Sequence, residues 1–205
     1  MPNLDFFDTM WRLIESPKDA FHRITIAEHK NYVLFLMLFL GLATSFGLFW
    51  ARHAGNEFNN FLYLLLLGLV IGLGIALPVG LLLTIIVHWM LRLSGGRGTL
   101  KNTYGVLGWS LMPIMLSVSI VLPIELASIG QRLFSTNPSP MEMKPVVYVV
   151  LLGLDGFAVL WTLYLARVGF CVAHKISAIK SAGVSVFSAL LFSIATYRLF
   201  AILVI

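Results

Sequence analysis

Few residues in this 205-residue chain could do chemistry, and Asp155 is the most telling of them. It stands about ten residues into an apolar run that begins near position 145. An ionisable group at that depth is costly, so it faces the interior with a partner or marks a path for ions. Arg198 stands inside the last apolar run, and Glu125 near the end of the run before Asp155. Three readings follow. In one, Asp155 and Arg198 form a buried ion pair that serves the fold; in another, Asp155, Arg198 and Glu125 line a proton or ion relay; in the third, Asp155 is protonated or lined by water.

A second candidate is Gly95-Gly96-Arg97-Gly98, with Lys101 after it. It has the look of a phosphate cradle. The G-x-x-x-x-G-K-[ST] spacing is missing, however, and no strand precedes the glycines, so the stretch reads as a solvated, flexible turn with attraction for lipid headgroups. His88 and His174 lack a second ligand at helical spacing and read as interfacial histidines snorkelling toward water. Met112 and Met115 read as packing surface. Cys171 is the single cysteine, so neither an internal disulfide nor a zinc cluster is expected. No local signature of a nucleophile and its base is present, and no enzyme activity, metal or cofactor is expected.

The elements that position these groups follow from composition. Hydrophobic residues make up 59% of the chain and charged ones 11%, which places it among membrane proteins. The net charge of +5 would suit nucleic acid in a soluble protein. Here the basic residues fall in short connections between apolar runs, so topology explains them and nucleic acid is not an expected partner. The fold class is an all-α membrane protein. Five spans are expected, at about 31–50, 61–91, 103–129, 145–168 and 183–204, forming one domain over 31–205.

Residues 1–30 form a separate amphipathic segment, with Leu4, Phe7, Trp11 and Ile14 opposite Asp5, Asp8, Arg12 and Glu15. That pattern suits a helix in the membrane interface or one packed on the end of the bundle. Ser16 offers an N-cap and Pro17 a first helical residue for a second short helix. The first apolar run starts too late for a cleavable signal, so the first span is expected to stay as an anchor.

Ten Lys and Arg residues lie on the side of the N-terminus and the glycine turn; Arg52, Arg132 and Lys144 lie on the other. That bias predicts a cytoplasmic N-terminus and an external C-terminus. Within the spans, Gly68, Gly72, Ala76 and Gly80 recur every four residues, a small-residue stripe for close helix packing within the chain or across a homodimer. Pro78 should break the long second span, and Pro113 and Pro123 should bend the third.

The motif Glu15-Ser16-Pro17-Lys18-Asp19-Ala20-Phe21 precedes the first span. Gly95-Gly96-Arg97-Gly98-Thr99-Leu100 then leads into Tyr104-Gly105-Val106-Leu107-Gly108-Trp109-Ser110-Leu111-Met112-Pro113. With five spans and a short external C-terminus, these stretches resemble the Yip1-domain family. The resemblance implies an integral membrane factor and no enzyme. Eukaryotic members act in Golgi and endoplasmic reticulum traffic and bind Rab-type GTPases and one another, and they usually carry a long hydrophilic domain ahead of the first span. Only about thirty residues stand there in this chain, a form similar to the prokaryotic branch, which implies a bacterial inner-membrane location. The expected partners are membrane lipids, a protein at the cytoplasmic face and a second copy of the chain.

Overall fold

The computed structural model of the chain describes residues 4–58 and 60–204, with side chains described as far as Arg198. It is all-helical, with no strand among the described residues. Two short helices, α1 (Phe6–Glu15) and α2 (Pro17–Ile26), precede five long ones: α3 (Val33–Ala51), α4 (Phe61–Leu93), α5 (Leu100–Ser128), α6 (Pro145–His174) and α7 (Ala178–Val204). The five long helices have the length and hydropathy to cross a bilayer.

Helix α1 starts where the Asp5 carboxylate caps the Asp8 backbone N–H. Arg12 at 2.9 Å and Arg23 at 3.1 Å both bind Asp8, tying α1 to α2. Ser16 occupies the N-cap of α2, but its hydroxyl makes no capping bond; Pro17 removes one orphan donor instead. Leu13, Ala20, Phe21 and Ile24 are buried. Glycines on the spans make room for them: Gly169 on α6 lies under the Phe21 ring, and Gly105 on α5 lies beside Ile24. Lys30 closes the end of α2 by donating to the carbonyls of Ile24, Thr25 and Ala27. The segment is therefore docked on the bundle, while Phe7, Trp11 and Ile14 remain on its outer face.

The small-residue stripe lies buried within the chain, where Gly68 meets Phe46, Gly72 meets Leu42 and Gly80 meets Met37, all on α3. Gly41 returns the contact against Gly72 and Ala76. Helix α4 runs unbroken through Pro78, which differs from the expected break. Pro78 lies on the exposed side, so only the ladder bond to the Gly74 carbonyl is lost. Helix α5 behaves as its prolines suggest. A tight turn at Leu111 precedes Pro113, and a π turn over Ser117–Val121 precedes Pro123.

Helices α6 and α7 reach further than their apolar stretches, so the connection expected between the spans 145–168 and 183–204 shrinks to residues 175–177. Backbone hydrogen bonding does not stop where hydropathy does. Ser181 near the start of α7 donates to the Arg167 carbonyl, and Lys175 turns the chain with a left-handed φ of 54°. At the opposite end, Gln131 donates to the Gly55 and Phe58 carbonyls, and the rings of Phe46, Phe49 and Phe134 cluster.

Candidate functional site

The glycine turn, residues 94–99, is a built structure. The backbone N–H groups of Gly95 and Gly96 donate to the Arg92 and Leu91 carbonyls at 3.0 and 2.9 Å, closing the end of α4. Gly95 takes φ +90°, a conformation only glycine adopts readily. The Thr99 hydroxyl then caps α5 by accepting from the Asn102 N–H.

Gly96 and Gly98 are buried, and both lie against His174 at the end of α6. A side chain on Gly96 would meet His174 Nδ1 at 2.8 Å, and one on Gly98 would meet the Ala173 carbonyl oxygen at 2.6 Å. The Arg97 N–H donates to the His174 carbonyl at 3.1 Å, and Lys180 Nζ donates to the Ser94 carbonyl at 3.0 Å. The turn is thus solvated at Gly95, Arg97 and Thr99, as expected, but anchored at its two buried glycines. They admit the end of α6.

The two histidines also depart from the snorkelling expectation. Thr103 Oγ lies 2.9 Å from His88 Nδ1 and 2.8 Å from His174 Nε2, and both Thr103 and His174 are fully buried. The hydroxyl has one proton, so at least one ring donates to it. The bridge joins α4, α5 and α6 directly beneath the glycine turn. Arg92, Arg97, Lys101 and Lys180 are exposed around it. The result is a basic surface whose backbone is fixed from below, fit to bind an acidic group without reorganising.

Deeper in the bundle, Asp155 lies about 15 Å along α6, by 1.5 Å per residue. The Ser117 hydroxyl, at the π turn of α5, donates to its carboxylate, and Glu125, one helical segment further on, lines the same cavity as Asp155. The expected Asp155 to Arg198 pair is absent. Among the described residues the ion pairs are those of Asp8, and Arg198 is exposed at the far end of α7. The structure therefore brings Glu125 to Asp155 and leaves Arg198 apart. The pair walls a cavity of about 520 Å³ whose other lining is largely apolar, including Phe46, Trp50 and Phe134.

Sequence reasoning missed the roles of Thr103 and Ser117, and took Trp109 only as part of a motif. Trp109 is fully buried against Phe6 and Tyr32, pinning the start of α1 to α5. A tryptophan between Gly108 and Ser110, four residues ahead of Pro113, was the available signal. A family model described as the Yip1 domain matches residues 11–199, whereas no curated protein and no solved structure matches the chain.

Proposed function

The chain belongs to the Yip1 family, and from that membership we propose that it is a non-enzymatic membrane adaptor whose basic face binds an acidic segment of a protein partner. The observation that carries this is the rigid seating of Arg97. Its N–H is held by the His174 carbonyl, its neighbours Gly96 and Gly98 are locked on the His174 ring, and its side chain is left exposed. A turn built only to link two helices has no need of that anchoring. The charge bias favours the cytoplasmic side for this face, where the partner would be met.

The test is a photoreactive residue at Arg97 in intact cells, followed by mass spectrometry of the cross-linked product. A single dominant soluble protein is expected, and Lys101→Glu should reduce its recovery while the protein stays folded in the membrane. Recovery of lipid alone, or unchanged recovery from the Lys101→Glu variant, would overturn the reading.

The Glu125 and Asp155 pair beside a cavity favours a second reading, transport of protons or a small cation. It requires a flux into reconstituted vesicles that Asp155→Asn removes. Vesicles containing the protein that leak no faster than empty ones would dispose of it.

A further inference from the structure

A larger cavity, of about 1020 Å³, lies between α3, α5, α6 and α7. Its cause is legible in the residues. Ala43, Gly47 and Ala51 on α3 and Ser185, Ala189 and Ser193 on α7, each at four-residue spacing, line its walls. Small-residue stripes usually let helices touch, as Gly41 touches Gly72 and Ala76 elsewhere on α3. Here they do not, and a side chain placed on Gly47 would meet nothing within 4 Å. Exposed Val159 and Ile194 stand at the cavity's edge, so it opens sideways onto the surface that faces the bilayer.

From Ser185 to Arg198 the wall runs roughly 20 Å along α7, more than the depth of one leaflet, about half of a 30 Å core. Protein interiors do not leave apolar space of this size empty next to a supply of hydrocarbon.

The far end of the cavity is cationic and aromatic. The Arg52 guanidinium stands 4.2 Å from the centre of the Tyr197 ring and donates to the Tyr197 carbonyl at 3.2 Å. Its Nε is buried and has no partner among the described residues. Arg198 follows on the chain, lines the cavity, and has no ion partner among the described residues. Trp50, also in the wall, donates to the Tyr148 hydroxyl at 3.1 Å. Trp, Tyr and Arg at one level mark the headgroup depth of a bilayer.

We propose that this cavity holds one acyl chain of an anionic phospholipid, drawn from the leaflet at the C-terminal end of α7, with the lipid phosphate against Arg52 and Arg198. Apolar volume takes the chain, and the two guanidiniums supply the charge complement that a neutral lipid would waste. The site is remote from the basic turn at the opposite end of the bundle, so it stands independently of the adaptor reading.

The test uses the purified full chain in mild detergent, with dioleoyl phosphatidylglycerol or dioleoyl phosphatidylcholine added, and native mass spectrometry as readout. One phosphatidylglycerol should be retained under activation that strips phosphatidylcholine. Arg52→Gln with Arg198→Gln should lower phosphatidylglycerol retention about tenfold, to the phosphatidylcholine level. Gly47→Leu, which grows into open space, should lower retention of both lipids. Should Gly47→Leu fail to fold, Ser193→Leu on the exposed side of α7 fills the same volume. Equal retention of the two lipids by the unaltered protein, or unchanged retention in the filled variants, would overturn the proposal. So would a dimer that forms without lipid and is lost in Gly47→Leu, which would give the groove to a second copy of the chain.

Discussion

At the scale of single residues, the junction of the three central helices rests on one hydroxyl. Thr103→Val keeps the shape and removes the group that both His88 and His174 share, and His174 Nδ1 already has no partner among the described residues. A buried imidazole with neither nitrogen bonded carries a penalty of about 1–3 kcal/mol. Thr103→Val should therefore lower the apparent melting temperature in detergent, and Thr103→Ser should restore it. Equal melting of both variants and the unaltered protein would mean that the bridge carries no stability. Lys30 offers a pH-dependent check on the docked N-terminal segment. Burial first, and Lys101 second, bring it down from 10.5 to about 8. Below about 8 both folded and unfolded chains hold the proton; from there to about 10.5 only the unfolded chain does. The unfolded state binds more protons in that window, so docking of α1 and α2 tightens as pH rises through it. Acylation of Lys30, followed by mass spectrometry, should show a midpoint near 8, against about 10.4 for an ordinary lysine.

At the scale of elements, the glycine turn separates what a sequence reveals from what it withholds. Three glycines between apolar runs mark a turn, and a turn is found. That Gly96 and Gly98 exist to admit His174 was not legible, because the contact comes from a residue more than seventy positions later in the chain. The same holds for Asp155. Its type and depth marked it as a residue needing a partner, yet whether α5 or α7 turns a polar group toward it depends on helix rotation. The π turn ahead of Pro123 shifts that rotation and presents Ser117. Gly98→Ala tests the first point, since its new methyl meets backbone at the Ala173 carbonyl and the last turn of α6 cannot yield cheaply. A loss of about 1–3 kcal/mol is expected. Gly153→Ala on the same helix α6 meets nothing within 4 Å and should stay within about 0.5 kcal/mol. A Gly98→Ala protein as stable as Gly153→Ala would mean that the turn gives way and is a hinge after all.

At the scale of the whole molecule, the count and order of spans followed from hydropathy alone, because only a helix can carry its backbone through lipid without orphaned polar groups. The ends of the helices did not, since α6 and α7 continue past their apolar residues. Orientation rests on charge, with ten basic residues on the side of the glycine turn and three on the other. The single native cysteine makes this testable, because Cys171→Ser leaves a background without thiols. On it, Lys101→Cys places a thiol at the exposed start of α5, and Glu57→Cys places one in the exposed connection between α3 and α4. A membrane-impermeant maleimide applied to intact cells should label the thiol at position 57 and spare the one at 101; permeabilising the cells should expose both. The reverse pattern would turn the molecule over. The anchored Arg97 would then face outward, away from any cytoplasmic partner, and the arginine pair at the end of α7 would draw its phospholipid from the inner leaflet.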